Sequence, residues 1–228
     1  MLSQYPNKKC VSYWAPTIYP STGNYTHRKM NKISKIATEL LRLMALSCLL
    51  LSCSDHDEVQ ELTFVGDSHV ERWDLPNSFP SYLCHNYGLS GSGIDYLSTL
   101  TAETKGKDVV VVTGRNDIRT LKEEDAQTYA ERYVHTLSAL SARRLFVYCI
   151  FPCTTEQAGG KGGDAEKVEL LNGLIRREID KQNLQAIYID VYDDLLYQRE
   201  LNRQYSADGL HLNAYGYQVL SFKLLKAL

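Results

Sequence analysis

The stretch Asp108-Val109-Val110-Val111-Val112-Thr113 runs through four consecutive valines and is followed directly by a glycine. An unbroken β-branched run is typical of a parallel strand that is buried on both faces, because a half-exposed strand alternates polar and apolar residues. We therefore predict a central strand here. Such a strand requires a covering layer on each face of its sheet, so helices are expected before and after it.

The rest of the chain supplies those layers. Short apolar runs predict four further strands, over residues 62–65, 82–86, 144–151 and 185–190. Apolar residues at helical spacing predict helices over residues 94–102, 123–141, 165–181 and 213–228. Strands that alternate with helices indicate an α/β fold, a three-layer α/β/α sandwich with a mainly parallel five-stranded sheet.

Length and composition indicate one ordinary globular domain. The chain has 228 residues, of which 44% are hydrophobic and 23% charged, and its formal net charge is −2. A chain of this size buries one substantial core. The small net charge gives no electrostatic reason to expect a nucleic acid as partner, and the oligomeric state stays open.

Residues 30–52 have the order of a secretory signal peptide. A basic stretch comes first, a mostly apolar run follows over residues 40–51, and a small residue closes the segment. The apolar run is shorter than the about 20 residues that span a bilayer as a helix. Residues 1–29 show no sustained hydrophobic period, so we expect translation to start at Met30.

The tetrad Leu50-Leu51-Ser52-Cys53 resembles a bacterial lipobox, in which the cysteine becomes the lipidated first residue of the mature protein. The resemblance implies acyl chains on Cys53, a tether over residues 53–61 and the membrane as a partner. It also implies the cell envelope of a Gram-negative bacterium, on its periplasmic or surface face. The alternative is a buried cysteine on an amphipathic helix.

Three further cysteines fall in the predicted domain, residues 62–228. Cys84 and Cys149 lie in apolar strand-like runs, where a thiol behaves as a small buried hydrophobic group. Cys149 and Cys153 are four residues apart with no histidine nearby, a spacing that does not indicate a metal site. We therefore expect neither a metal nor another cofactor.

The turn Gly66-Asp67-Ser68-His69 directly follows the predicted strand at residues 62–65. The carboxyl ends of parallel strands form the sheet edge at which open α/β folds bind ligands. A serine at this edge can act as a nucleophile in acyl transfer if a base, a group that orients the base and oxyanion donors accompany it.

Three later segments offer those groups. The loop at residues 86–93 is rich in glycine, which lets a backbone N–H approach a substrate closely. Asn116 follows the valine strand, so its amide lies at the same sheet edge. Asp208 and His211 precede the last predicted helix and supply a carboxylate and an imidazole.

These segments, in type and in order, resemble the sequence blocks of the SGNH hydrolases, the GDSL esterase/lipase family. The matching blocks are Gly66-Asp67-Ser68, Asn86-x-Gly88-x-x-Gly91, Gly114-x-Asn116-Asp117 and Asp208-x-x-His211. The resemblance covers residues 62–228 and implies the flavodoxin-like SGNH hydrolase fold. It also implies a metal-independent serine esterase that works through an acyl-enzyme intermediate.

Carried over by position, the resemblance implies a role for each matching residue. Ser68 is the nucleophile, His211 the general base and then acid, and Asp208 the carboxylate that orients the imidazole. The oxyanion hole is formed by the backbone N–H groups of Ser68 and Gly91 and by the side-chain amide of Asn116. The same logic of nucleophile, base and orienting carboxylate recurs in other chain orders.

Two positions depart from the family pattern. His69 follows the nucleophile, where the family usually has an apolar residue, and Ser92 follows Gly91, where an acidic residue is common. His69 is a rival for the role of base. Adjacent side chains usually diverge, however, so we favour His211 in that role.

The substrate class is the least constrained prediction. No long apolar insertion follows the nucleophile turn, so we favour a small acyl group, such as acetyl on a carbohydrate. Aromatic side chains near the first two loops are candidates for stacking on sugar rings or for ordinary packing: Trp73, Tyr82, Tyr87 and Tyr96. The alternatives are a lysophospholipase or thioesterase, an acyl transferase, and a glycan-binding protein without catalysis on the same scaffold.

Overall fold

We analysed a computed structural model of the chain, which describes residues 38–39, 42, 59–159 and 164–228. The chain divides into two compact units, Met1–Glu58 and Val59–Leu228. In the first, residues 38, 39 and 42 are helical. Most of the predicted signal peptide, Cys53 and most of the predicted tether lie outside the described residues. The second unit forms the fold described below.

The five predicted strands are present and form one parallel sheet. They are β1 (Glu61–Gly66), β2 (Leu83–Gly88), β3 (Asp108–Val112), β4 (Arg144–Tyr148) and β5 (Ile187–Ile189). Their spatial order is β2-β1-β3-β4-β5, and every neighbouring pair is parallel. All five residues of β3 are buried, which confirms the central position predicted from the valine run.

Helices cover the sheet on both faces and complete a three-layer α/β/α sandwich. They are α1 (Ser68–Glu71), α2 (Leu75–Ser78), α3 (Ile94–Leu97), α4 (Thr101–Thr104), α5 (Ala126–Ala139), α6 (Ala165–Lys181), α7 (Tyr192–Leu195) and α8 (Ala214–Ala227). Helix α5 packs against α3 and α6, whereas α8 contacts α2, α7 and β5. Within the described ranges, none of the helices combines the length and apolarity needed to cross a membrane.

The structure departs from the predicted elements at several places, among them the short helices α1, α2 and α7, which were not predicted. The single helix predicted over residues 94–102 is interrupted between α3 and α4 by a 3₁₀ turn, Ser98–Leu100. Hydroxyl side chains compete for the backbone here, since Thr99 Oγ1 donates to the Tyr96 carbonyl at 2.7 Å. A short hairpin of β6 (Leu196–Tyr197) and β7 (Glu200–Leu201) was not predicted.

Chain topology places the end of β1 at a ligand-binding position. From β1 the chain moves outward to β2 and then returns to β3 on the other side, so strand order reverses between β1 and β3. Ligands of open α/β sheets bind at this switch point. Gly66 ends β1 with a φ of +151°, and a Cβ there would lie 1.8 Å from the Val112 carbonyl oxygen. Glycine therefore allows the Ser68 turn to pass close to β3.

The predicted cysteine environments are partly confirmed. Cys149 and Cys153 are buried, and Cys84 on the edge strand β2 is half-buried. All three are free thiols. Burial raises the pKa of the Cys84 thiol to about 11, so this side chain stays neutral at physiological pH.

A buried carboxylate connects the amino ends of β3 and β4, at the sheet edge opposite Ser68. Asp108 is 3% exposed. Arg143 Nε donates to its Oδ1 at 2.8 Å, and Arg144 Nε donates to its Oδ2 at 3.0 Å. Burial acts to raise the pKa of Asp108, but the hydrogen bonds and charges of the two arginines outweigh burial and lower this pKa.

We predict that Asp108→Asn lowers the free energy of unfolding by about 2 kcal/mol at pH 7, because charge-assisted hydrogen bonds are lost. The pKa is lower in the folded state than the roughly 3.9 of an unfolded aspartate. The carboxylate therefore stabilises the fold fully at neutral pH and loses its effect as pH falls below about 4. Urea unfolding of both proteins at pH 7 and about pH 3 measures this; an equal difference at both pH values would contradict it.

Candidate active site

Ser68 lies at the start of α1, immediately after β1. Asp67 precedes the helix, and its Oδ1 accepts a hydrogen bond from the His69 N–H at 2.9 Å, which caps the first turn. The Ser68 side chain is 6% exposed, and its Oγ lies 3.2 Å from His211 Nε2. The turn therefore presents the hydroxyl to an imidazole from a segment 143 residues further along the chain.

A carboxylate holds the His211 ring. Asp208 Oδ2 lies 2.7 Å from His211 Nδ1, while Oδ1 accepts hydrogen bonds from the Leu210 and His211 N–H groups at 2.9 and 2.8 Å. Partial burial acts to raise the pKa of Asp208. The hydrogen bonds from the His211 ring and from the two backbone N–H groups outweigh burial and lower this pKa far below its usual range.

The structure thus brings Ser68, His211 and Asp208 into one hydrogen-bonded series. In such a series an imidazole can take the proton of a hydroxyl, and the carboxylate fixes the imidazole tautomer and stabilises its protonated form. The proton required between Nδ1 and the carboxylate leaves Nε2 free to accept from Ser68 Oγ. This arrangement has the chemistry of an activated serine nucleophile.

Two of the three predicted oxyanion donors, Gly91 and Asn116, lie on loops that hydrogen bonds connect to each other and to the end of β1. Ser92 Oγ donates to the Gly66 carbonyl at 3.2 Å, and Asn116 Nδ2 donates to the Ser92 carbonyl at 2.8 Å. This bond uses one of the two amide hydrogens of Asn116 and leaves the other available. Gly91 has a φ of +78°, and a Cβ there would meet nothing within 4 Å, so its backbone is open to an approaching group.

Several residues that the sequence analysis did not select support the Asp208–His211 loop. Ser206 Oγ donates to the His211 carbonyl at 2.7 Å, which closes the loop on itself. The loop at residues 152–159 supports it from outside, through Thr154 N–H to the Gly209 carbonyl and Gln157 Nε2 to the Asp208 carbonyl, both at 2.8 Å. A serine two residues before an aspartate is a local turn signal. The contacts from residues 152–159 leave no local signal.

His69 does not take the place of the base. Its Nδ1 lies 3.0 Å from Asp67 Oδ1, and its Nε2 lies 3.1 Å from the Leu210 carbonyl oxygen. The ring is 2% exposed and packs edge-to-face against Phe151, with 5.2 Å between centroids. Among the described residues, the imidazole within hydrogen-bond distance of the serine hydroxyl is that of His211.

A further polar cluster lies on the loops after β3 and β4. Arg115 forms an ion pair with Asp164, whose carboxylate also lies near Cys153. Burial raises the pKa of Cys153 to about 11, so the thiol is not a competing nucleophile at neutral pH. In the part of the chain that the structure describes, no group of three or more histidine, cysteine or acidic side chains is placed to hold a metal ion.

The aromatic side chains near the first two loops serve mainly in packing. Trp73 is 3% exposed and stacks on Tyr217, with 5.4 Å between ring centroids. Its indole N–H donates to Ser78 Oγ. Three tyrosines are half-buried against the same core: Tyr82, Tyr87 and Tyr96. Trp73 is therefore not a stacking surface for a sugar.

Solved structures share this fold. A Streptococcus pneumoniae protein named for platelet activating factor is 24% identical and has a TM-score of 0.60; the alignment covers 85% of this chain and 98% of that one. Acetylxylan esterase Axe2 from Geobacillus stearothermophilus is 15% identical with a TM-score of 0.51, over 73% of this chain and 93% of that one.

The sequence also matches a curated protein. N-acylneuraminate cytidylyltransferase from Escherichia coli O18:K1:H7 is 26% identical over 180 residues. The alignment covers 73% of this chain and 40% of that protein, so the chain spans well under half the length of this relative.

A family-level match covers most of the folded unit. Residues 64–219 match the GDSL-like Lipase/Acylhydrolase family. This interval is more than half of the 228-residue chain and includes Ser68, Asn116, Asp208 and His211. The chain therefore belongs to the GDSL-like lipase/acylhydrolase family.

Proposed function

We propose that this protein is a serine esterase in which Ser68 is the nucleophile, His211 the general base and acid, and Asp208 the orienting carboxylate. The observation that carries the proposal is the hydrogen-bonded series from Ser68 Oγ to His211 Nε2, at 3.2 Å, and from His211 Nδ1 to Asp208 Oδ2, at 2.7 Å. Membership in an acylhydrolase family supports it.

In the proposed acylation step, Ser68 Oγ attacks the ester carbonyl carbon while His211 Nε2 takes the hydroxyl proton. Negative charge develops on the carbonyl oxygen, which accepts hydrogen bonds from the Ser68 and Gly91 N–H groups and from the Asn116 amide. One donor of this type contributes on the order of 3 kcal/mol to transition-state stabilisation. The ester bond then breaks, and the leaving alcohol takes the proton from His211.

In the proposed deacylation step, water attacks the acyl-Ser68 carbonyl as His211 removes one of its protons. The bond to Ser68 Oγ breaks, the serine recovers its proton from His211, and a carboxylic acid is released. Asp208 stays ionised throughout, because its hydrogen bonds hold its pKa far below its usual range. It can therefore stabilise the imidazolium in both steps.

The proposed substrate carries a small acyl group, such as acetyl, on a carbohydrate. Only the four-residue helices α1 and α2 separate β1 from β2. The apolar side chains of this segment between β1 and β2 belong to the buried core and so do not line an acyl tunnel: Val70, Trp73, Leu75 and Phe79. The structural neighbour acetylxylan esterase and the relative named for N-acylneuraminate are both named for acylated sugars, which favours this class.

The proposal includes an envelope location. The basic stretch, the apolar run and the Leu50-Leu51-Ser52-Cys53 tetrad favour export and lipidation at Cys53. Dual or triple acylation anchors a protein stably, whereas one chain binds only marginally. The hydrolase unit would then act on esters at the periplasmic or surface face.

We predict that Ser68→Ala lowers kcat/KM on p-nitrophenyl acetate by at least about 1000-fold, because the nucleophile is lost. A fluorophosphonate probe should label the wild type and not this variant. Ser138→Ala, an exposed serine of α5, is the matched control and should behave as the wild type. Equally strong labelling of the wild type and Ser68→Ala would refute the proposed nucleophile. Poor labelling of both would favour a non-catalytic glycan-binding protein.

Acyl-chain length separates the proposed esterase from a lysophospholipase or thioesterase. On p-nitrophenyl esters of two to twelve carbons, we expect kcat/KM to be highest for acetate or propionate and to fall beyond about four carbons. Acetylated xylan and O-acetylated N-acylneuraminate then test the carbohydrate portion by acetate release. Activity that rises past eight carbons would contradict the small-acyl proposal.

The mature protein isolated from its native host should begin at Cys53. Mass spectrometry of its amino-terminal peptide is expected to show a cysteine carrying diacylglycerol and an added acyl chain. Cys53→Ser should shift the protein from the membrane fraction to the supernatant. Recovery of any peptide from residues 1–29 would contradict the expected start at Met30.

A further inference from the structure

A second Asp–His pair lies beside the first. His69 Nδ1 lies 3.0 Å from Asp67 Oδ1, as His211 Nδ1 lies 2.7 Å from Asp208 Oδ2, and the two imidazole centroids are 5.9 Å apart. The pairs differ in what Nε2 meets. In the more exposed pair, Asp208–His211, Nε2 lies next to the Ser68 hydroxyl. In the buried pair, Asp67–His69, Nε2 lies 3.1 Å from the Leu210 carbonyl oxygen.

The donors and acceptors of this buried pair determine where its protons are. A carbonyl oxygen only accepts, so His69 Nε2 must carry a hydrogen that it donates to Leu210. Asp67 Oδ1 faces Nδ1, so a second proton lies between this oxygen and the ring. With both ring nitrogens engaged, His69 connects Asp67 to Leu210 and has no nitrogen free for the reaction.

The Leu210 peptide is a sensitive place for such a connection. Its carbonyl accepts from His69, its N–H donates to Asp208 Oδ1, and the next residue along the chain is His211. His69 is itself the residue after Ser68. The hydrogen bond from His69 Nε2 to Leu210 therefore connects the residue after Ser68 with the residue before His211.

The His69 side chain is held rigidly enough to transmit this placement. Its ring packs edge-to-face on Phe151, with 5.2 Å between ring centroids. Asp67 in turn is fixed by its N–H, which donates to the Val112 carbonyl of β3 at 3.1 Å. The series from β3 through Asp67 and His69 to Leu210 lies almost wholly in the interior.

We propose that His69 is a positioning residue for the hydrolytic reaction: through Nε2 and the Leu210 carbonyl it sets the distance between Ser68 Oγ and His211 Nε2. This inference rests on the proposed function of Ser68, Asp208 and His211. Misplacement of a reacting group by about 1 Å costs on the order of 100-fold in rate. The effect falls on kcat rather than on KM, because His69 does not face the substrate.

Two amide substitutions separate the two bonds of the ring. His69→Gln places an amide N–H near the position of Nε2, so it retains the donor to Leu210. His69→Asn retains a donor to Asp67 and does not reach Leu210. We expect His69→Asn to lower kcat on p-nitrophenyl acetate by 10- to 100-fold with KM within about twofold of wild type. His69→Gln should keep kcat within about fivefold.

Tyr217→Phe is the matched stability control, since it removes a buried hydrogen bond to the same turn without touching the Leu210 contact. It should lower Tm and leave kcat within about twofold. Rates are expressed per site titrated to completion with a fluorophosphonate probe, so unfolded protein does not count. If His69→Asn does not fold, the test uses His69→Gln alone. A kcat like that of the wild type together with a lowered Tm then supports the inference.

The inference is overturned if His69→Asn keeps kcat within twofold of wild type, or if His69→Gln loses as much kcat as His69→Asn. It is also overturned if Tyr217→Phe, with the same Tm as His69→Asn, loses as much kcat as His69→Asn does. A general loss of stability would then explain the effect. Ser68→Ala tests the proposed function separately. If Ser68→Ala retains activity, Ser68 is not the nucleophile and the proposed function is overturned. If Ser68→Ala loses activity while His69→Asn keeps it, only the role of His69 is overturned.

Discussion

The contact between Ser68 Oγ and His211 Nε2 is the constraint on which the rest of the structure depends. The two residues are 143 positions apart and meet at 3.2 Å. Proton transfer between them tolerates little error in distance or angle. The sheet fixes one partner, because β1 lies between β2 and β3 and cannot move without both. The other partner lies on a loop, which has no such support of its own.

The loop is therefore held from several directions. Ser206 bonds to the His211 carbonyl from within, Thr154 and Gln157 bond to its backbone from the loop at residues 152–159, and His69 reaches it from the nucleophile turn. A polar group that is buried without a partner is costly. In the described part of the chain, Asp67 Oδ2 is buried without a partner. Local cost of this kind is common where function fixes the geometry.

Sequence predicts those parts of this fold that short-range patterns determine. Helix α6 forms over the predicted residues, Ala165–Lys181, because its apolar face repeats at helical spacing without interruption. The β6–β7 hairpin was missed because Gln198 and Arg199 adopt positive φ, 50° and 66°, without the Asn-Gly or Asp-Gly signal of such turns. Ser68, Asp208 and His211 were selected for the proposed triad because the order of the motifs indicates them.

Supporting residues of the site were not found, for a different physical reason. Thr154 and Gln157 donate hydrogen bonds to backbone carbonyls more than 50 positions away along the chain. Every residue type has such a carbonyl, so the contact places no restriction on the residue type at the accepting position. In the sequence, His69 stands out only as a departure from the family pattern, which usually has an apolar residue after the nucleophile. Its partners become visible when the fold places Leu210 against the nucleophile turn.

Burial explains why two neighbouring Asp–His pairs would take different roles. The His211 and Asp208 side chains are 19% and 49% exposed, so water can solvate the imidazolium that would form and disappear in each proposed cycle. The His69 and Asp67 side chains are 2% and 1% exposed. A change of net charge among atoms so thoroughly buried costs several kcal/mol, so this pair is suited to hold a fixed charge arrangement rather than to cycle. Exposure therefore suits the outer pair to the proposed proton transfer and the inner pair to the proposed positioning role.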